Sequence, residues 1–314
     1  MTKPIRILFI AGASRSGSTL LDRVLGSLPG VTSLGELHQV WRRGFQENQF
    51  CGCGLAFDSC SFWGAVRQDP QVAGRPDIQR ILSLQRRVVR DRNMPAELFP
   101  WPQLPERRQL RDSYVDALTR LYRAITATSG ASVMVDSSKR PIHGMLLQGR
   151  EDVDLRVVHL IRDSRAVAYS LARRKEKTDA NDQTVMMQRR TSTQSAKSWL
   201  RQNVLAEALA TRSATSMRIR YEDFLADPIE SVSRLAEFAG LSGAAVPHLT
   251  DRMVRLSTAH TVSGNPMRLE TGWVPLTLDD EWRRSMRKQD RTTVTWMTSP
   301  LLIRYGYRLG SLGS

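Results

Sequence analysis

Near its amino terminus the chain reads LFIAGASRSGSTLLDRVLG, and this stretch restricts the possible folds more than any other. The apolar run Ile5 to Ile10 has the length and branched content of a buried strand, and it ends abruptly in a glycine-rich turn that opens a helical pattern. Within the turn, Gly12 to Thr19 reads GASRSGST, which follows the phosphate-binding pattern G-x-x-x-x-G-K-[ST] except at one place. Ser18 stands where a lysine would reach the terminal phosphates of a nucleoside triphosphate. Glycines at 12 and 17 let backbone amides converge on an anion, and a helix starting near Ser18 adds the positive end of its dipole. Arg15 lies inside the loop, where a cation neutralises a smaller anionic group without a metal.

The same alternation continues along the chain. Strand-like runs at Ser132 to Val135, Leu155 to Ile161 and Met217 to Ile219 are each followed by polar turn residues and a helical pattern. Helices are expected over Ser18 to Ser27, Arg107 to Thr126, Arg165 to Arg173, Gln188 to Thr211, Pro228 to Ala239 and Leu278 to Arg287, with Asp227-Pro228 and Thr277 to Asp280 as helix starts. This pattern predicts an α/β fold, a parallel sheet flanked by helices, with ligand-binding loops at the carboxyl ends of the strands. One domain spanning 1–314 is expected, with an insertion or lid at 47–105, a segment rich in Gln, Pro and Arg.

Charge narrows the partners only partly. The formal net charge is +15, and arginine outnumbers lysine 40 to 6, but the arginines are spread along the whole chain and do not form a basic arm. With no RNA-binding signature, zinc-finger spacing or basic zipper, nucleic acid is not the expected partner. The N-terminal apolar run is too short and wrongly ended for a signal peptide, and no segment approaches the roughly 20 apolar residues of a membrane span. A cytoplasmic location with reduced thiols is expected.

A second motif, VVHLIRDSRAVAYSLARR, places Arg162 at a strand end and Ser170 eight residues later. An arginine there and a hydroxyl two helical turns onward grip one phosphate from two sides. With the first loop, this pair resembles the sulfotransferases that use 3'-phosphoadenosine 5'-phosphosulfate (PAPS), especially bacterial members and the tyrosylprotein branch. The resemblance implies that Arg15-Ser16-Gly17-Ser18-Thr19 corresponds to the [KR]-S-G-[ST]-[ST] loop that binds the 5'-phosphosulfate, and that Arg162 and Ser170 bind the 3'-phosphate. RIRYEDFLADP is similar to a segment whose tyrosine, here Tyr221, lies near the adenine. VSGNPMRLETGW lies where a C-terminal loop closes over the nucleotide, which makes Arg268 and Asn265 candidates for the phosphates, although it departs from the R-K-G form of the animal cytosolic enzymes. The similar blocks run from Arg6 to Tyr307 and leave 47–105 largely unmatched.

The implied reaction is in-line transfer of a sulfuryl group from PAPS to a hydroxyl or amine, releasing 3',5'-ADP. It requires a base for the acceptor proton and cations for the leaving phosphate. Glu36, 21 residues after Arg15 as in the tyrosylprotein and some bacterial relatives, is the candidate base, brought beside the loop by a helix and a returning strand. His38 is its rival, because cytosolic relatives use histidine and its ordinary pKa suits the task. The two share a face on a strand and diverge if a helix starts there. Lys139, in VMVDSSKRP, and Arg15 are the candidate cations, with Ser16, Ser18 and Thr19 as donors to phosphate and sulfuryl oxygens. His143 is a candidate for the acceptor site, His159 is read as structural, and His248 and His260 are unassigned.

The resemblance implies no metal. Cys51, Cys53 and Cys60 make C-x-C-x6-C, which with a fourth ligand such as His38 would hold zinc but is not a recognised zinc spacing. A thiol cluster, or one disulfide with a spare thiol, is the expected reading. Nearby Phe50, Phe57, Phe62 and Trp63 suggest a packed lid beside a small-molecule, glycan or lipid acceptor. Two other readings stay open: a P-loop kinase of small molecules, against which Ser18 argues, and a non-catalytic nucleotide- or polyanion-binding protein.

Overall fold

The computed structural model describes residues 3–73, 78–99, 102, 104–173, 176–178, 184–186, 190–241 and 248–309. Its central sheet contains β1 (Ile5–Gly12), β2 (Val31–Gly35), β3 (Val133–Lys139), β4 (Val153–Ile161) and β7 (Ser216–Arg220), in the order β2-β3-β1-β4-β7. Every neighbouring pair is parallel. Two antiparallel pairs lie outside it, β5 (Glu176–Thr178) with β6 (Thr184–Met186) and β8 (Met253–Leu256) with β9 (Gly272–Pro275).

The period of two along β1 explains why helices cover both faces. Ile5, Ile7, Phe9 and Ala11 pack into a core built from α5 (Pro105–Ser129), α6 (Pro141–Leu147) and α8 (Ser192–Arg212). Leu8 and Ile10 pack into a second core with α1 (Ser18–Leu25), α9 (Tyr221–Ala226) and α10 (Pro228–Phe238). From Ile7 to Ala11 the run is continuously apolar because neither face of that part of the strand meets water; the partly exposed Arg6 near its start pairs with Asp154.

Between β2 and β3 the chain forms α2 (Ser61–Gln68), α3 (Ile78–Val88) and α4 (Met94–Leu98) before α5. The described residues of this segment do not stand apart from the body. Phe57, Trp63, Val66, Ile81 and Leu82 are buried in the same core as Tyr114 and Leu118.

Most expected elements appear within a few residues of their predicted bounds. The first residues of the helix expected over 188–211 lie outside the described residues; α8 itself starts on a capping box in which Thr191 accepts from the Gln194 amide and Gln194 from that of Thr191. After β4 comes α7 (Ser164–Ala172), with Asp163 as its cap. The expectation over 278–287 is corrected: only a single turn, α11 (Trp282–Ser285), forms there, and the long helix is α12 (Lys288–Arg304). Its buried stripe is Val294, Thr298 and Leu302 with Thr295, so half of it consists of threonines and gives no apolar period. Among the described residues no helix is long and apolar enough to cross a membrane.

Candidate active site

The carboxyl ends of β1, β2, β3 and β4 open into one cleft of about 670 Å³. The β1–α1 loop forms its floor, and its glycines are required by contact as well as by torsion. At Gly12, φ is +151° and a Cβ would lie 2.3 Å from the Leu160 carbonyl oxygen of β4. At Gly17, φ is +89° and a Cβ would lie 2.2 Å from the ring of Tyr221. Ser16 Oγ is buried in this loop without a hydrogen-bond partner among the described residues.

Three non-glycine residues have positive φ among the described residues, Arg15 (67°), Asn48 (48°) and Lys139 (63°). Left-handed backbone costs a side-chain-bearing residue roughly 1–2 kcal/mol. Two of the three are cations nominated from sequence, and both line the cleft. Strain of this kind persists where the surrounding structure enforces it, and it concentrates at functional positions.

Arg15 and Arg162 share that cleft. Arg15 Nε donates to Ser170 Oγ (3.0 Å), and Arg162 Nη1 donates to the Arg15 carbonyl (3.1 Å), so residues 155 positions apart in the chain touch directly. The Arg162 guanidinium lies 4.8 Å from the centre of the Tyr221 ring and donates to the Asp279 carbonyl. Burial, followed by the charges of Arg162 and Arg173, lowers the pKa of Arg15. The cleft thus concentrates positive charge in a partly desolvated place, where an anion interacts most strongly.

Glu36 and Lys139 meet at the neighbouring strand ends. β2 stops at Gly35, and a 3-10 turn follows over Leu37–Gln39. The side chains of Glu36 and His38 therefore diverge. Glu36 Oε1 accepts from Lys139 Nζ at 2.6 Å at the cleft, whereas His38 is not among the residues that line it. His38 Nε2 lies 2.7 Å from Gln39 Nε2, its Nδ1 is sealed from solvent, and burial drives its pKa down to about 3. The Lys139 turn is held from behind by fully buried Asp136, which accepts from the Ser138 amide (2.8 Å) and the Tyr122 hydroxyl (2.5 Å).

The other nominated residues divide. Ser18, Thr19, Tyr221 and Asn265 line the cleft. Arg268 does not: its guanidinium donates to the carbonyls of Thr261 (3.0 Å) and Phe50 (2.7 Å), tying two loops together. His143 is fully buried in the core, stacked on Phe9 with Nε2 3.8 Å from Asp136, and does not line the cleft. His159 is bonded to Asn203 within the fold, and burial lowers its pKa to about 4. Two cleft arginines were missed from sequence: Arg43, on a π-helical turn over Val40–Gln46, and Arg190, which donates to Ser198. A chain with 40 arginines offers no local signal to single them out. The three cysteines form no disulfide, and the histidine beside them is His260, not His38.

The sequence model of the sulfotransferase domain family matches residues 6–293. Among solved structures, the chain is similar to the sulfotransferase domain from the Synechococcus PCC 7002 olefin synthase, at 20% identity and a TM-score of 0.54, covering 98% of this chain and 97% of that one. It is also similar to the sulfotransferase domain from the curacin biosynthetic pathway, at 15% identity and a TM-score of 0.53, covering 98% and 99%. At these identities the likeness shows the fold, a parallel sheet flanked by helices. No curated protein matches the sequence.

Proposed function

The chain belongs to the sulfotransferase domain family, and from that premise we propose that it moves a sulfuryl group from PAPS to a hydroxyl or amine acceptor and leaves 3',5'-ADP. The observation that carries this reading is that Arg15, Arg162, Glu36 and Lys139, drawn from four strand ends, line a single cleft together with Ser170 of α7. The residues suit the nucleotide. The buried hydroxyl of Ser16 has no hydrogen-bond partner among the described residues, and Gly17 leaves no room for a side chain between the loop and Tyr221. Residues 15–19 would hold the 5'-phosphosulfate, Arg162 and Ser170 the 3'-phosphate, and Tyr221 would lie near the adenine, while Asn265, whose amide lies beside Thr19, would face the phosphates. When bound, PAPS supplies an activated sulfuryl group on a phosphate leaving group.

The protein's own part is to hold charge and move one proton. Glu36 takes the proton of the acceptor, its carboxylate kept in place by the 2.6 Å contact with Lys139. Lys139 and Arg15 would meet the negative charge that grows on the leaving phosphate, and their left-handed backbone torsions hold both at the cleft. Arg43 extends the same anionic preference. We read the chain as one domain in which 47–105 borders the acceptor end.

Calorimetry with 3',5'-ADP on wild type and Arg162→Ala, followed by turnover assays with Glu36→Gln, tests the proposal. Loss of a charge-assisted phosphate contact of about 1.5–3 kcal/mol weakens the nucleotide roughly 10- to 100-fold in Arg162→Ala. Glu36→Gln should abolish turnover and leave nucleotide affinity intact. Absence of 3',5'-ADP binding, or magnesium-dependent consumption of ATP, overturns the reading; normal turnover by Glu36→Gln returns the role of base to His38.

A further inference from the structure

Cys51, Cys53 and Cys60 come together with His260, which lies 200 residues beyond Cys60 in the chain. Their sulfur and nitrogen ligand atoms all lie within 4.8 Å of one another. Cys51 Sγ is 3.6 Å from Cys60 Sγ, and His260 Nδ1 is 3.7 Å from the first sulfur and 3.2 Å from the second. A tetrahedral zinc with Zn–S about 2.3 Å and Zn–N about 2.0–2.1 Å requires sulfur–sulfur edges of about 3.8 Å and sulfur–nitrogen edges of about 3.5 Å. The three edges among Cys51, Cys60 and His260 lie within about 0.3 Å of those values, and the Cys53 sulfur lies within 4.8 Å of each of the other ligand atoms. A disulfide instead needs two sulfurs about 2.05 Å apart and would leave a thiol and the imidazole without a role.

We infer that Cys51, Cys53, Cys60 and His260 form a closed Cys3His zinc site. The backbone around it is shaped for ligation. Gly54, with φ +87°, turns the chain just after the C-x-C pair, and the Gly54 amide donates back to the Cys51 carbonyl (3.0 Å). Cys60 occupies the N-cap of α2, where the positive helix end favours a thiolate. His260 is oriented by stacking on Phe62, with ring centres 4.7 Å apart and planes at 9°, and the Trp63 indole donates to its carbonyl. Zinc binding replaces the three thiol protons, which leave to solvent, and takes the Nδ1 lone pair of a neutral imidazole.

Four protein ligands leave no open position, so the site is structural. It clamps the loop at 51–60 to the segment that leads into Ser263 and Asn265 at the cleft. The same two segments also meet through the Gly52 amide and the Thr261 carbonyl (2.9 Å). The inference stands on the cysteine–histidine geometry and does not depend on the proposed reaction.

Metal analysis of the protein purified in reductant and zinc, then dialysed, tests it, together with cobalt substitution. About one zinc per chain is expected, and cobalt should give the strong visible bands of a tetrahedral thiolate site. Cys51→Ser and His260→Asn should each lower retained zinc at least tenfold. His260→Cys keeps four ligands, so it should retain zinc and shift the cobalt spectrum, which separates loss of a ligand from loss of fold. Stripping zinc from wild type should lower Tm, and adding it back should restore it. Substoichiometric zinc in folded wild type, an unchanged zinc content in folded Cys51→Ser, or an intact mass showing a disulfide in the metal-free protein overturns the site.

Discussion

Gly17 answers to two demands, a left-handed torsion and the ring of Tyr221 lying where a side chain would go, and only the first is visible in a motif. The same division runs through the other residues. Arg15, Arg162 and Lys139 were legible because each sits in a short pattern tied to a strand end. The structure turned the nominated Arg268 onto two backbone carbonyls, because a guanidinium is captured by whichever unpaired acceptors tertiary contact brings near. Asp22 had no motif at all. It is fully buried in α1, bonded to Ser33 Oγ, and burial raises its pKa to about 7. The folded state therefore holds a proton that the unfolded chain releases near pH 4, and stability from this group falls as pH rises from about 4 to about 7. At about 1.4 kcal/mol per pKa unit the loss is a few kcal/mol. Urea unfolding across that range should show Asp22→Asn gaining on wild type as pH rises; a difference that stays constant with pH would disprove the assignment.

At the scale of elements, the junction of β4 and α7 aims Arg162 and Ser170, and it rests on a buried ion pair. Asp163 caps α7 by accepting from the Arg165 amide (2.9 Å) and pairs with the Arg165 guanidinium at 2.6 Å, while Arg165 also donates to the carbonyls of Arg308 and Leu309. Removing one partner of such a pair leaves an uncompensated charge and costs roughly 3–5 kcal/mol. Asp163→Ala should lower the urea midpoint by that measure with the slope of the transition unchanged, and a shift below about 1 kcal/mol would mean that the cap and pair contribute little. Strand-helix alternation made most of these elements readable in advance. α12 escaped because its buried stripe relies on threonines whose hydroxyls are satisfied internally, Thr298 by the Val294 carbonyl and by Ser164 Oγ at 2.7 Å. Polarity scored as exposure hides a packed face of this kind.

For the molecule as a whole, a net charge of +15 matters less than where the cations converge. If the cleft is the anion site, 3',5'-ADP at about 100 times its Kd adds about 2.7 kcal/mol to stability and raises Tm by a few degrees. Scanning calorimetry should find that shift reduced in Arg162→Ala and weaker with inorganic sulfate. An equal shift in the variant would point to a diffuse basic surface, which heparin binding lost in modest salt would corroborate. The strand-helix order, the glycine-rich loop and the family were determined by the sequence itself, because buried strands and positive-φ turns impose local chemistry that neighbouring residues must satisfy. Which face Glu36 and His38 present, where Arg268 points, and the meeting of Cys51, Cys53 and Cys60 with His260 were decided only in three dimensions. Each depends on contacts between segments far apart in the chain, and nothing in the local sequence specifies the partner.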